Sequence, residues 1–337
     1  MRRSVVSKTV CMQRKKLGKS ALQPTIIGLG CMSFHTLETG RPVIEKALDL
    51  GINYFDTADL YDKGENERIV GTVLKPRRKD VIIATKVGNQ WRNDGSSWDW
   101  NPGKDYIKTA VHDSLRRLQT DYIDLYQLHG GTIDDPTDET IEAFEELLKP
   151  GHIRHYGISS IRPNTIRRWT ASSNLVSVMT QYSLLDTRPE EFTLGHIQGH
   201  EVGVVVRGAV AGGLLAGKPP KEYLAHKSDT VSQVVRRQKE LLQVAKGFED
   251  LWENIARHDQ PKGGSEKGNH TPEPNTLGQI ALAYVLQHPA VTTIALGAGQ
   301  PQQLDIVRGL EDLLPLDPAV YQKLKAAAPS IFYTDHR

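Results

Sequence analysis

Eight short apolar runs, separated by amphipathic stretches along almost the whole chain, leave few folds open. They read TIIGLGC (25–31), INYFDTA (52–58), VIIATKV (81–87), IDLYQLH (123–129), IRHYGISS (153–160), SVMTQYS (177–183), GVVVRGAV (203–210) and VTTIALG (291–297). Each is nearly continuously apolar, the pattern of parallel strands whose outer face is covered by helices. Helical patterns fill the gaps. DYIKTAVHDSLRRL (105–118) opens soon after a Pro-Gly turn and DETIEAFEELLK (138–149) after DDPT. The alternation predicts an α/β protein, a (β/α)8 TIM barrel forming a single domain with long βα loops. An open doubly wound sheet is the structural alternative. A length of 337 residues exceeds a typical domain but suits one barrel.

Composition bears on function more than on fold. Lys plus Arg number 42 against 40 Asp plus Glu, so a net charge of +2 gives no argument for nucleic acid. No apolar run approaches the length that crosses a bilayer. Two cysteines, Cys11 and Cys31, supply neither a disulfide framework nor zinc-ligand spacing, which points to a reducing cytoplasm. The basic N-terminus MRRSVVSKTVCM lacks the apolar core and cleavage site of a signal peptide. Cys31, at the end of the first run, reads as a small buried hydrophobe.

The expected layout is a flexible tail over 1–12, the barrel over 13–330 and a C-terminal tail over 331–337. Residues 258–276 (HDQPKGGSEKGNHTPEPNT) read as a flexible insertion in the barrel. Residues 88–104 (GNQWRNDGSSWDWNPGK) read as a long loop. Its tryptophans Trp91, Trp98 and Trp100, together with Phe34 beyond the first run, are expected to wall a substrate pocket and favour aromatic or bulky apolar carbonyls. KPRRKD (75–80) is expected to be a solvated turn.

Two glycine-rich stretches imitate nucleotide motifs. GLGCMS (28–33) begins like a dinucleotide fingerprint, but Ser33 takes the place of its third glycine. GGLLAGKP (212–219) has P-loop spacing, yet Pro219 follows Lys218 where a magnesium-binding hydroxyl is needed. A glycine-rich turn whose N–H groups approach a phosphate survives without that motif.

The ends of neighbouring runs carry the chemistry. Run two ends in Asp56 with Tyr61 just beyond, run three carries Lys86 and run four ends in His129. In a barrel these ends meet at one face. Each residue alone has a bland reading, as an ion pair, a packed aromatic or a structural histidine. Four ionisable groups converging on one cavity argue for catalysis instead. A phenol gives up its proton reluctantly near neutrality, and an adjacent ammonium favours the phenolate. Lys86 would supply that ammonium, Asp56 would hold it charged, and a neutral His129 would donate a hydrogen bond to a carbonyl oxygen. No second histidine or thiolate accompanies them, so no metal is expected.

DTADLYDKGENE, the Lys of IATK and the His of YQLH resemble the aldo-keto reductases. The likeness extends from KLGKSAL (16–22) to the end of the eighth run, and its nearest match is to soluble bacterial, NAD(P)H-dependent members. The resemblance implies a (β/α)8 barrel that reduces aldehydes or ketones to alcohols, with Tyr61 as general acid, Lys86 and Asp56 assisting, and His129 orienting the carbonyl. It places Ser159, Ser160 and Gln181 at the nicotinamide, Ser160 standing where many members have Asn. Arg207, Gly208, Leu215, Gly217 and Lys218 would wrap the pyrophosphate side, Arg207 replacing a stacking aromatic. Gly297, Ala298, Gly299, Gln300 and Gln303 would meet the adenosine end. There Gly299 and Gln300 replace a Ser-Lys or Ser-Arg pair that grips a 2′-phosphate, and Ile306 and Val307 an acid-amide pair. Weaker NADP preference follows. NADP(H) is the expected cofactor, with NAD(H) as the alternative. A monomer is the family default, and MQRKKLG at Met12 matches a usual family start, so residues 1–11 are expected to reflect an upstream initiation choice.

Two other functions compete. One is a cofactor-binding regulatory or scaffold subunit, which need not keep all four catalytic groups. The other is an aldolase-like barrel using Lys86 as a Schiff-base nucleophile.

Overall fold

All eight runs become strands of one closed parallel barrel, each beside its neighbours in chain order and the last beside the first. The computed structural model describes residues 12–218 and 276–328, with Gly247. Of the expected tail over 1–12, residues 1–11 lie outside the described residues, as do most of the insertion over 258–276 and the tail over 331–337, while Met12 is buried in the core.

The strands are β1 (Ile27–Gly30), β2 (Tyr54–Asp56), β3 (Ile82–Val87), β6 (Ile123–Leu128), β7 (Ile153–Ser159), β8 (Ser177–Gln181), β9 (Gly203–Arg207) and β10 (Val291–Gly297). Helices α1 (Leu37–Asp49), α2 (Glu65–Leu74), α3 (Lys104–Leu118), α4 (Thr137–Leu148), α5 (Pro163–Ser172), α6 (Thr193–Gln198) and α7 (Thr276–Gln287) run between strands; α8 (Pro318–Ala327) follows the last.

Strand alternation divides the apolar runs between two cores. Tyr54, Ile82, Ala84, Leu125, Met179, Val205 and Ala295 pack together inside the barrel. Phe55, Ile83, Tyr126, Val178, Val204, Val206 and Ile294 belong to the larger shell between strands and helices. Following the inward register to the C-terminal ends brings Asp56 after Tyr54 and Lys86 after Ala84. The same period of two turns Gln127 and His129 inward after Leu125. The opposite end is closed by the segment before β1, whose Leu17 and Leu22 join the inner core. Gly18, at φ 53°, sits so close to the starts of β8 and β9 that an added Cβ would stand 2.5 Å from the Val176 carbonyl oxygen.

Two connections differ from expectation. Residues 88–104 are not an irregular loop. They hold an antiparallel hairpin of β4 (Asn89–Trp91) and β5 (Trp98–Trp100), with Trp91 opposite Trp98. The Arg92–Asp99 ion pair, with N–O 2.7 Å, bridges the two strands beside the turn. KPRRKD forms a 3-10 turn (Lys75–Asp80) that is solvated except at Arg78. Its guanidinium pairs with the buried Asp124 at 2.7 Å and lies over the Tyr122 ring, whose other contact is Arg154. That cluster ties the turn to the start of β6 at the N-terminal end of the barrel.

Candidate active site

Four side chains from the C-terminal ends of β2, β3 and β6 converge at the floor of a cavity of about 1370 Å³. Lys86, 1% exposed, donates to Asp56 Oδ1 at 2.5 Å, to the Thr57 carbonyl oxygen at 2.7 Å and to the Tyr61 hydroxyl at 3.4 Å. An ammonium has three N–H donors, so these three acceptors account for it. Burial works against the charged amine; the charges and hydrogen bonds of Asp56 and Tyr61 outweigh it and hold Lys86 above the ordinary lysine range. Gln127 Nε2 donates to the other Asp56 oxygen at 3.3 Å. Gln127 is a functional residue that sequence reasoning missed. Its signal was the inward position two residues before His129.

The Tyr61 oxygen accepts from Lys86, which leaves its own proton for a group in the cavity. His129 stands edge-on to Tyr61, the ring centroids 5.7 Å apart. Burial first, then the Lys86 and Arg207 charges, push the imidazole down to about 3, so it is neutral near pH 7. Its Nδ1 is buried without a partner. A proton there would have no acceptor, which assigns the hydrogen to Nε2. The site can therefore polarise a carbonyl with one donor and protonate it with another. Cys31 lines the same cavity; burial pushes its thiol up, leaving a protonated small hydrophobe.

Tyr61 is held by its surroundings. Asp62 (φ 50°) and Lys63 (φ 55°) follow it in the left-handed region, which non-glycine residues avoid. Trp91 Nε1 donates to the Leu60 carbonyl oxygen at 3.1 Å, and Lys63 lies over the Trp91 ring at 5.2 Å. Trp91→Phe keeps the ring and removes this donor. Turnover should fall roughly fivefold, about one net hydrogen bond, with cofactor affinity unchanged. Steady-state kinetics check it; an unaltered kcat would mean the turn is held without the bond.

The residues expected to wall the substrate pocket stand elsewhere than at this cavity. Phe34, Trp91, Trp98 and Trp100 are not among the cavity-lining residues. Phe34 is fully buried in the outer core. Trp91 is spent on Leu60, Trp100 donates to Asp135 at 2.9 Å, and Trp98 points to solvent at 45% exposure. The wall is instead lined by Met32, Leu60, Ile161, Arg162, Met179 and Val210 among others, most on loops whose sequence carries no motif.

Of the expected cofactor residues, Ser159, Ser160, Arg207, Gly208, Gly217, Lys218, Gly297, Gly299 and Gln303 line the cavity. Gln181, Leu215, Ala298 and Gln300 do not. Leu215 and Ala298 are core residues. Gln181 accepts from Arg207 Nη1 at 3.0 Å and donates to Asp186 at 2.8 Å, so it orients the arginine. Gln300 and Gln303 form a capping box on the 3-10 turn Pro301–Val307. Gln303 Oε1 accepts from the Gly299 N–H at 2.7 Å, closing this segment on itself. Arg308 pairs with Asp305 at 2.9 Å and is not a cavity-lining residue.

The cavity's size and its glycine wall suit a dinucleotide. Gly212 (φ 68°) and Gly213 (φ 99°) adopt left-handed backbone in the turn after β9, and at Gly217 an added Cβ would meet nothing within 4 Å. Open backbone beside Lys218 is what a phosphate needs. Among the described residues, no cluster of three or more metal-ligating side chains occurs. No described helix is long and apolar enough to cross a membrane.

An α/β barrel whose ionisable residues gather at the C-terminal strand ends is the architecture of a barrel enzyme. The family model described as "Aldo/keto reductase family" matches residues 26–329, and the chain belongs to that family. It is an oxidoreductase of a family that uses nicotinamide cofactors. A Bacillus subtilis (strain 168) protein named "Uncharacterized oxidoreductase YqkF" is 46% identical over 87% of this chain and 89% of its own. The aldo-keto reductase AKR11C1 from Bacillus halodurans, solved in a holo form, shares 46% identity with a TM-score of 0.80. That match covers 97% of this chain and 99% of that one. A Schizosaccharomyces pombe relative, "Aldo-keto reductase yakc [NADP(+)]", is 30% identical over 81% of this chain and 78% of its own.

Proposed function

We propose that the protein reduces aldehydes or ketones to alcohols with NADPH, as a carbonyl reductase of small molecules. The observation that carries this reading is the Asp56–Lys86–Tyr61 chain of contacts beside a neutral His129. A bound reduced nicotinamide supplies the hydride for the carbonyl carbon. The protein's part is proton chemistry and orientation. His129 Nε2–H holds and polarises the carbonyl oxygen, and Tyr61 gives that oxygen its proton. Lys86 stabilises the phenolate left behind, and Asp56, fixed by Gln127, keeps Lys86 charged and aimed.

Ser159 and Ser160 would meet the nicotinamide end, with Arg207 steered by Gln181 alongside. The 208–217 turn and Lys218 would take the pyrophosphate, and Gly297 through Gln303 the adenosine. The complete tetrad favours turnover over a regulatory role. A charged, ion-paired Lys86 is a poor Schiff-base nucleophile, which disfavours the aldolase reading. A cytoplasmic site of action belongs to the same proposal and rests on the scarcity of cysteine.

Titrating NADPH and NADH, then following nicotinamide oxidation with short, aromatic and dicarbonyl substrates, tests the proposal. NADPH should bind more tightly, but by about tenfold or less, because the self-capped 297–303 segment offers a 2′-phosphate no cation. A hundredfold preference would place a phosphate clamp elsewhere. Failure to bind either cofactor would sink the function.

A further inference from the structure

Among the described residues, the cavity is lined by Asp56, which Lys86 already occupies, and by three further cationic side chains, Arg162, Arg207 and Lys218. Arg207 and Lys218 stand at and beyond the end of β9, beside the glycine-rich turn. Arg162 stands apart from them, just before α5, on the loop leaving β7. Its Nη1 donates to the Gly131 carbonyl oxygen at 3.0 Å, two residues after His129, so the guanidinium leans toward β6 and away from the phosphate side. Its Nε is buried with no partner. Among the described residues, the bond to Gly131 is the guanidinium's sole hydrogen bond, and no ion pair neutralises it.

Of the two acids on the adjoining loop, Asp134 is exposed and forms no ion pair with Arg162, and Asp135 is already taken. It accepts from Trp100 Nε1, from the Thr132 N–H at 2.6 Å and from the Thr132 hydroxyl at 3.0 Å. A half-buried guanidinium with no counter-ion among the described residues, at the edge of the cavity, favours an anion there. A single planar guanidinium matches the charge and the planar fork of a monoanionic carboxylate better than the charge of a phosphate dianion.

We propose that Arg162 receives a carboxylate on the substrate, so that this reductase selects aldehydes and ketones bearing a carboxylate group. The inference rests on the carbonyl-reductase reading and adds the substrate class to it. The test compares 4-carboxybenzaldehyde with its neutral methyl ester, under saturating NADPH, in wild type, Arg162→Gln and Arg162→Lys.

In wild type, kcat/KM for the acid should exceed that for the ester by about tenfold or more, as a charge-assisted hydrogen bond implies. KM for the acid should rise with salt. Arg162→Gln should bring the ratio near one and remove the salt effect, whereas Arg162→Lys should keep part of both. NADPH fluorescence reports whether each variant is folded. If Arg162→Gln does not fold, the wild-type ratio, its salt dependence and the lysine variant decide. Acid and ester turned over alike by wild type, or a ratio that survives Arg162→Gln, overturns this inference alone. Turnover of neither compound, nor of any other carbonyl, overturns the reductase reading with it.

Discussion

Replacing Tyr61 with Phe is expected to lower turnover of every carbonyl substrate by about 10²–10⁴-fold, the usual reach of general acid catalysis. The substitution removes one oxygen. The Lys86 ammonium loses the weakest of its three acceptors, at 3.4 Å, and keeps Asp56 and the Thr57 carbonyl. The ring stays edge-on to His129, so the cavity keeps its shape. Cofactor affinity, read by fluorescence titration, should therefore change little. A variant that turned over near the wild-type rate would remove Tyr61 from the proton path. His129 contributes no acid limb to the wild-type profile in the usual histidine range, because its imidazole stays neutral until about pH 3.

Lys86→Met has the second large effect, on turnover and on stability together. The apolar side chain fills the space but leaves Asp56, 5% exposed, with Gln127 as its remaining side-chain donor. Breaking a buried pair from one side costs about 3–5 kcal/mol, because a charge stays behind unpaired. Pairing Lys86→Met with Asp56→Asn should recover most of that stability, by urea denaturation, while turnover stays lost. The sign with pH is set by burial, which pushes an unpaired Asp56 carboxyl above its unfolded value. The folded single variant then holds a proton that the unfolded chain has released. Its deficit is smallest in acid and grows as pH rises through the carboxyl's raised value. A deficit independent of pH, or a double variant no more stable than the single, would refute this account of the pair.

Much of the site was legible because strand periodicity does the placing. Asp56 and Lys86 fall on the inward positions of β2 and β3 by a period of two from Tyr54 and Ala84, and a barrel brings those ends together. The GENE stretch (64–67) opens α2 with two buried polar residues. Asn66 is fully buried and donates to the Cys31 and Phe34 carbonyls at 2.7 and 2.9 Å; Glu67 is fully buried against Arg117 and the Thr85 hydroxyl. Those polar residues hold the loops that carry the site, and polarity alone does not distinguish that role from exposure. The tryptophans misled for a related reason. Trp91 and Trp100 are indole donors to Leu60 and Asp135, far off in sequence, and no local pattern announces such a partner.

The eight strands and the inward facing of Asp56 and Lys86 therefore follow from the chain read by itself, since apolar periodicity decides which way each strand-end side chain faces. Three things waited on the tertiary structure. They are the hairpin that grips the Tyr61 turn, the capping box that closes the Gln300–Gln303 segment, and Arg162, which bonds the Gly131 carbonyl and has no ion-pair partner among the described residues. Each depends on contacts between segments remote in sequence or on loop geometry, where neither periodicity nor composition constrains a side chain.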